Sequence, residues 1–277
     1  MVNKIEDAVA RHYAQPALGQ TIIDALQAAG ADLSALTPEQ LAPVDEFHTA
    51  GRLTTLKSLE MVDIDDSMHV LDAGSGIGGT ARCLALEKGC RVTGIDLTRA
   101  YVDTARMLTE RMGLEDRCSF VEGSVLDLPF DDETFDAVLT FHVAMNIEDR
   151  ATFYRELARV LRPRAYLCLF DVMTGPKPGI PFPMPWAETE ATSFLRSAEE
   201  TRRLAEQAGF VIDREESQQD LAINFFRERF ARARDGHVPP LGLHLLTGNN
   251  AKEKFANMLT ALEADQIDPV IMIGRRP

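Results

Sequence analysis

The chain has 277 residues, 45% of them hydrophobic and 26% charged, a make-up that fits one large globular domain or a domain with a cap. Its 29 Lys and Arg face 43 Asp and Glu, and a formal net charge of -14 repels phosphate backbones, so no nucleic-acid partner is expected. No apolar stretch is long enough for a bilayer, the opening residues lack a signal core, and the four cysteines form no C-x-x-C pair, which predicts a cytoplasmic protein with buried free thiols, no membrane partner and no metal.

Residues 1–62 read as an N-terminal helical cap. Ile5 and Val9, then Ile22, Ile23 and Leu26, recur at helical spacing, with Gly30 as a stop. Thr37-Pro38-Glu39-Gln40 has the capping-box pattern, with Thr37 as cap and Gln40 reaching back. A longer helix is predicted from Asp45 to Met61, with Leu53, Leu56 and Leu59 facing inward. No Ser/Gly linker follows, so this cap is expected to pack on the core.

Strand and helix patterns then alternate, which predicts parallel β-α-β units in a core spanning residues 63–217. The first strand covers about 68–73 and its helix 79–88. The second strand covers about 90–96, and Thr98 caps a helix with Val102, Ala105, Leu108 and Met112 inward and Gly113 as its stop. Cys118 to Val121 and Phe135 to Thr140 are the third and fourth strands. A helix carrying Phe153, Leu157 and Val160 precedes a fifth strand from Tyr166 to Asp171. Five prolines between Val172 and Trp186 rule out a helix or central strand there and predict a stiff extended loop at the ligand-binding edge of the sheet. Ser197 opens a helix with a capping-box pattern, and Phe210-Val211-Ile212 begins a sixth strand. Residues 218–265 read as a helical insertion that completes the cap, and 266–277 as the final strand of the core. The fold class is therefore α/β, a doubly wound, mostly parallel sheet under a two-part helical cap.

The clearest signal is His69-Val70-Leu71-Asp72-Ala73-Gly74-Ser75-Gly76-Ile77-Gly78-Gly79. An apolar strand ends near an acid, a glycine-rich turn follows, and a helix begins near Thr80. Glycines at 74, 76 and 78 permit a sharp turn and close approach of backbone to ligand. The helix that follows aims its free N–H groups and positive dipole end at the turn, which suits a nucleotide-like ligand. Gly74, Gly76 and Gly79 also satisfy G-x-G-x-x-G, so glycine spacing alone leaves dehydrogenase and methyltransferase readings open. Asp72 favours a ligand that carries an ammonium and opposes a pyrophosphate. Asp96, closing Val92-Thr93-Gly94-Ile95-Asp96 about 20 residues on, is placed to accept both ribose hydroxyls.

Through these two segments the chain resembles the class I S-adenosylmethionine-dependent methyltransferases, with Leu71 to Gly79 similar to their first motif and Gly94-Ile95-Asp96 to their second. The resemblance implies a Rossmann-like methyltransferase fold of seven strands, S-adenosylmethionine as cofactor and S-adenosylhomocysteine as product. It extends over about residues 68–217. Asp45 to Thr55 and Leu241 to Pro277 look like the sarcosine/dimethylglycine and tocopherol-type small-molecule subgroup. The acceptor is then a small molecule with a nitrogen, oxygen or carbon nucleophile, and the oligomeric state stays open, a homodimer included.

What the resemblance implies for the site follows residue by residue. Asp72, Gly74, Ser75, Gly76 and Gly78 hold the amino-acid end, and Asp96 holds the ribose. Ser124 stands where the family carries an acid for the adenine amino group, with Val125 meeting the ring nitrogens and Leu97 against the ring face. Phe141 and His142 lie beside the reactive methyl, and His142 is the candidate general base because imidazole titrates near neutral pH. Tyr13, His48, Met145, Asn146 and Trp186 are candidate substrate contacts. Arg227, Arg229, Arg232 and Arg234, interleaved with Phe226 and Phe230, read as a solvated helix face. The rival readings are an NAD(P)-dependent oxidoreductase, although no tyrosine here has a lysine four residues later, and a non-catalytic cofactor-binding module.

Overall fold

Strands buried on both faces show short continuous apolar runs, and Val70-Leu71 and Ala137-Val138-Leu139 are of this kind. The computed structural model describes residues 4–15, 17–234, 240–248 and 250–277. Its helices are α1 (Lys4–Tyr13), α2 (Leu18–Ala28), α3 (Pro38–Leu41), α4 (Arg52–Leu59), α5 (Gly79–Lys88), α6 (Arg99–Arg111), α7 (Arg150–Val160), α8 (Ala198–Gln207), α9 (Gln219–Arg234), α10 (His244–Thr247) and α11 (Ala251–Glu263). The strands are β1 (His69–Ala73), β2 (Arg91–Asp96), β3 (Cys118–Glu122), β4 (Phe135–Phe141), β5 (Leu161–Thr174), β6 (Val211–Ser217) and β7 (Ile267–Arg275).

All seven strands join one sheet in the order β3-β2-β1-β4-β5-β7-β6. The pairs among β1 to β5 are parallel, and β7 runs antiparallel between β5 and β6. Alternation along the strands sends Leu71, Val138 and Leu169 to one apolar layer, where they meet Phe153 and Leu157 of α7. Val70, Ala137 and Phe170 go to the opposite layer with Leu84 of α5 and Val102 of α6. A third apolar layer unites Ile22, Leu26 and Leu41 near the start of the chain with Phe226, Leu243, Phe255 and Leu262 near its end. The two cap segments, distant in sequence, therefore share one core above the sheet.

Several local expectations change in the folded chain. The helix expected from Asp45 to Met61 is reduced to α4, because Gly51 breaks the backbone at φ 51° and residues 45–50 have no helical structure. Leu53 faces solvent at 58% exposure, while Thr54, Thr55 and Ser58 are buried in its place. Polar side chains turn inward here because Thr54 Oγ1 donates to the Thr49 carbonyl at 2.8 Å and Thr55 donates to the Glu46 carboxylate. Thr98 occupies the N-cap position of α6, but its side chain makes no capping bond. Thr37 and Gln40 do form the full capping box. β5 runs past Asp171 to Thr174, since its antiparallel neighbour β7 extends the ladder to Thr174 opposite Ile267.

Arg82 of α5 ties the cap segment to the core. Its fully buried guanidinium donates to the Asp45 carboxylate, to the Ile77 carbonyl at 2.8 Å, to the Ala105 carbonyl at 3.3 Å and to Thr109 Oγ1 at 3.0 Å. Burial pushes the Asp45 carboxyl pKa up, against the pull of that guanidinium. Replacing Arg82 by leucine strands the Asp45 charge in the interior. The expected loss is about 3–5 kcal/mol of folding free energy, read from urea unfolding curves.

Candidate active site

Parallel strands whose order reverses leave a crevice at their C-terminal ends, and here the reversal falls between β1 and β4. A cavity lies at that place, with its floor on the tips of β1, β2 and β4 and its roof on the cap. The turn after β1 takes its shape from close packing. Gly74 has φ 84°, and a Cβ there would sit 2.1 Å from Val143 Cγ2. Gly79 admits the Asp45 carbonyl, which a Cβ would approach to 2.0 Å. Those two glycines thus serve contact between protein segments, and Gly76 is the one beside open space.

Asp72, Gly74, Ser75, Gly76, Asp96, Leu97, Ser124, Val125, Phe141 and His142 all line the cavity. Gly78 does not, because it sits at the N-cap of α5 under Arg82 and Phe120. Asp72 is buried, and its Oδ2 has no hydrogen-bond partner, nor does the neighbouring Ser75 Oγ. Burial, reinforced by the Asp96 and Glu46 charges, lifts the Asp72 pKa from the usual 3.8 to about 7. Asp96 accepts from the Gly76 and Thr98 backbone N–H groups, each at 2.8 Å, and burial raises its pKa as well.

Ser124 is already engaged on both sides. It accepts from the Leu126 N–H at 3.0 Å and donates to the Glu6 carboxylate of α1. Glu6 also lines the cavity, so an acid stands beside Ser124 after all, delivered from 118 residues away. Nothing local in the sequence announces it.

After β4 the chain is held by an acid on β5. Asp171 Oδ1 accepts from the Val143 and Ala144 N–H groups at 2.8 and 3.1 Å, and Oδ2 is buried without a partner. Burial pushes its pKa up to about 7, against the pull of Arg150 and those two N–H groups. His142 adopts φ 55°, its N–H donates to the Phe170 carbonyl at 2.7 Å, and its Nε2 is buried without a partner. Burial, with His48 close by, lowers its pKa well below 6.5, so the ring is neutral.

The five candidate substrate contacts, Tyr13, His48, Met145, Asn146 and Trp186, line the same cavity. Tyr13 donates to Asn146 Oδ1 at 2.9 Å, and Asn146 Nδ2 donates to the Trp186 and Thr192 carbonyls at 2.8 and 3.0 Å. Trp186 is anchored through Nε1 to Ser193 Oγ at 2.9 Å. The roof adds Phe47, Phe225, Phe226, Leu243, Leu246 and Phe255, none of which the sequence reading placed at the site. Among the described residues no lysine or arginine lines the cavity. Arg227 pairs with Glu263 at 2.6 Å and Arg229 stacks over the Phe255 ring at 5.1 Å, while the Arg234 side chain lies outside the described residues.

A mostly parallel seven-stranded sheet of this order, with a capped cavity at its switch point, is the Rossmann-like fold of S-adenosylmethionine-dependent methyltransferases. Residues 71–169 match the family model described as a methyltransferase domain. It is 35% identical over 130 residues to the methyltransferase GfsG of Streptomyces halstedii, covering 47% of each protein. It is 34% identical over 133 residues to a glycine/sarcosine/dimethylglycine N-methyltransferase of Actinopolyspora halophila, covering 48% of this chain and 24% of that one. The matched stretch thus spans about half the length of the first relative and a quarter of the second. In structure it resembles geranyl diphosphate C-methyltransferase from Streptomyces coelicolor, with a TM-score of 0.72, 15% identity, and coverage of 100% of this chain and 99% of that one. No helix among the described residues is long and apolar enough to cross a membrane.

The raised carboxyl at Asp72 has a consequence for stability. Between pH 3.8 and about 7 the folded chain holds a proton that the unfolded chain has released, so stability falls as pH rises through this window. Asp171 adds a slope of the same sign. Asp72→Asn should flatten the decline and leave the ligand-free variant more stable than the parent above the window, as measured by urea unfolding across pH.

Proposed function

We propose that this chain binds S-adenosylmethionine and catalyses methyl transfer to a neutral, largely apolar small molecule in the cytoplasm, leaving S-adenosylhomocysteine. One observation carries the reading: a single cavity joins a carboxylate-lined floor at the strand tips to an aromatic and aliphatic roof. The floor fits the cofactor. Unpartnered Asp72 Oδ2 offers an acceptor to an α-ammonium, with Ser75 Oγ beside it. Asp96 keeps lone pairs for ribose hydroxyls after accepting two backbone N–H bonds. Leu97, Ser124 and Val125, joined by Glu6, border the space left for the adenine.

Bound there, the sulfonium supplies an activated methyl group with a good leaving group. What falls to the protein is alignment of a nucleophile and exclusion of water. Phe141, His142 and Met145 flank the β4 tip between floor and roof, and Tyr13 and Trp186 close the cavity above them. The roof's composition sets the acceptor class. Aromatic and aliphatic side chains recognise apolar surface, and an anionic acceptor would find no lysine or arginine among the described lining residues. The geranyl diphosphate of the Streptomyces coelicolor enzyme would therefore meet no cationic side chain here.

Asp96→Ala tests the cofactor assignment. It should weaken S-adenosylhomocysteine binding by about 1.5–3 kcal/mol, the scale of hydrogen bonds to a charged group, in isothermal titration calorimetry. Unchanged affinity would contradict the assignment.

A further inference from the structure

Two residues that line the cavity, His48 and His142, each have a buried ring nitrogen with no partner, Nδ1 in the first and Nε2 in the second. Their ring centroids are 5.9 Å apart. The two rings differ in what stands behind them. Among the described residues no carboxylate pairs with His142, whereas His48 Nε2 lies 3.0 Å from Thr55 Oγ1 and 3.2 Å from Glu46 Oε2. Glu46 and His48 are both almost wholly buried, with side-chain exposures of 3%.

Hydrogen-bond bookkeeping fixes the His48 tautomer. The Thr55 hydroxyl donates its only proton to the Glu46 carboxylate, so its oxygen can only accept from His48. The carboxylate likewise can only accept. Nε2 must therefore carry the proton, and Nδ1 holds a lone pair with no protein donor to meet it. An unpartnered acceptor on one side of an imidazole, with a carboxylate on the other, is the arrangement of an oriented general base. Other charged or titratable groups around this pair are Asp45, held by Arg82, Asp72 on β1, and His142 after β4.

We infer that His48, oriented by Glu46, is the general base of the methyl transfer proposed above, taking the acceptor's proton at Nδ1. The O–H or N–H bond of the acceptor breaks, its proton passes to Nδ1, and the electron pair stays on the acceptor atom, free to take up the methyl group. Glu46 is a positioning residue that stabilises the imidazolium so formed. His142, neutral and lacking a carboxylate partner, then orients the acceptor through Nε2 instead of removing its proton, which revises the role that its place after β4 suggests.

The inference rests on the methyl-transfer reading, but its test does not need turnover. Protein carrying isotope-labelled histidine is followed by NMR across pH, with and without S-adenosylhomocysteine, and signals are assigned from His48→Gln and His142→Gln. Neutral His48 should carry its proton on Nε2 in the parent protein. Glu46→Ala, which removes the carboxylate, should admit the tautomer with the proton on Nδ1. A His48 proton on Nδ1 in the parent protein overturns the inference.

A second arm uses para-nitrophenol as an acceptor mimic, below the pH at which the free phenol ionises. Phenolate absorbance should appear with the parent protein and be lost in His48→Gln, while both proteins bind S-adenosylhomocysteine equally. Absorbance that is absent, or that survives in His48→Gln, also overturns it. Failure of S-adenosylhomocysteine to bind sinks the cofactor reading and leaves the tautomer result standing on its own. With an acceptor in hand, His48→Gln should lower the turnover rate by about 100-fold or more with little change in the KM for S-adenosylmethionine.

Discussion

Burying a carboxylate without an ion-pair partner raises the free energy of its charged form, and this fold does so twice along one sheet edge. Asp72 on β1 and Asp171 on β5 each keep one oxygen without a hydrogen-bond partner, and each has its pKa lifted to about 7 by burial. Such groups persist where they are used. Asp171 spends its other oxygen on the backbone after β4, fixing His142 and the turn that follows it. Asp72 meets the Ala81 backbone but keeps Oδ2 without a protein partner, which leaves that oxygen to a ligand. A cationic ligand would recover the free energy that burial withholds, so the empty-handed acid is the physical core of the functional reading.

The cap is built around the same edge. Arg82 and Gly79 hold the Asp45 segment against the glycine turn, one by a buried guanidinium and the other by leaving room for a carbonyl. That grip places Glu46, Phe47 and His48 in the cavity wall. α1, which has no fully buried residue, is fastened instead by polar contacts: Glu6 to Ser124, His12 to the Pro185 carbonyl at 3.0 Å, and Tyr13 to Asn146. Segments from the far end of the chain supply Phe226, Leu243, Leu246 and Phe255 above. The floor is thus acidic and polar, the roof apolar, and the histidine pair lies between them.

Much of the core was legible in one dimension, because its signals are local. The run from His69 to Gly79 contains strand, acid, glycine turn and helix start in consecutive positions. Asp96 closes the next strand, and the alternation of strands and helices to Asp171 restricts the connections to right-handed crossovers. Where the reading failed, packing in the folded chain overrode local periodicity. Leu53, Leu56 and Leu59 recur as in a helix with a buried apolar face, yet Leu53 is exposed because the Thr49 carbonyl and the Glu46 carboxylate draw Thr54 and Thr55 inward. Gly78 fits the motif spacing but lies beneath α5, outside the cavity wall. Asp171, a strand-tip acid like Asp72, was visible in the sequence and could have been weighed with it.

By itself, then, the sequence determined the sheet, the glycine turn and the two strand-tip acids, since each rests on neighbours a few positions apart and on the twofold repeat of a strand. Only the tertiary structure decided that Glu6 meets Ser124, that Arg82 holds Asp45, and that no cation among the described residues lines the roof. Those facts depend on segments tens to hundreds of residues apart being packed against one another. Distances of that kind are fixed by the folding of the whole chain and leave no trace in local spacing.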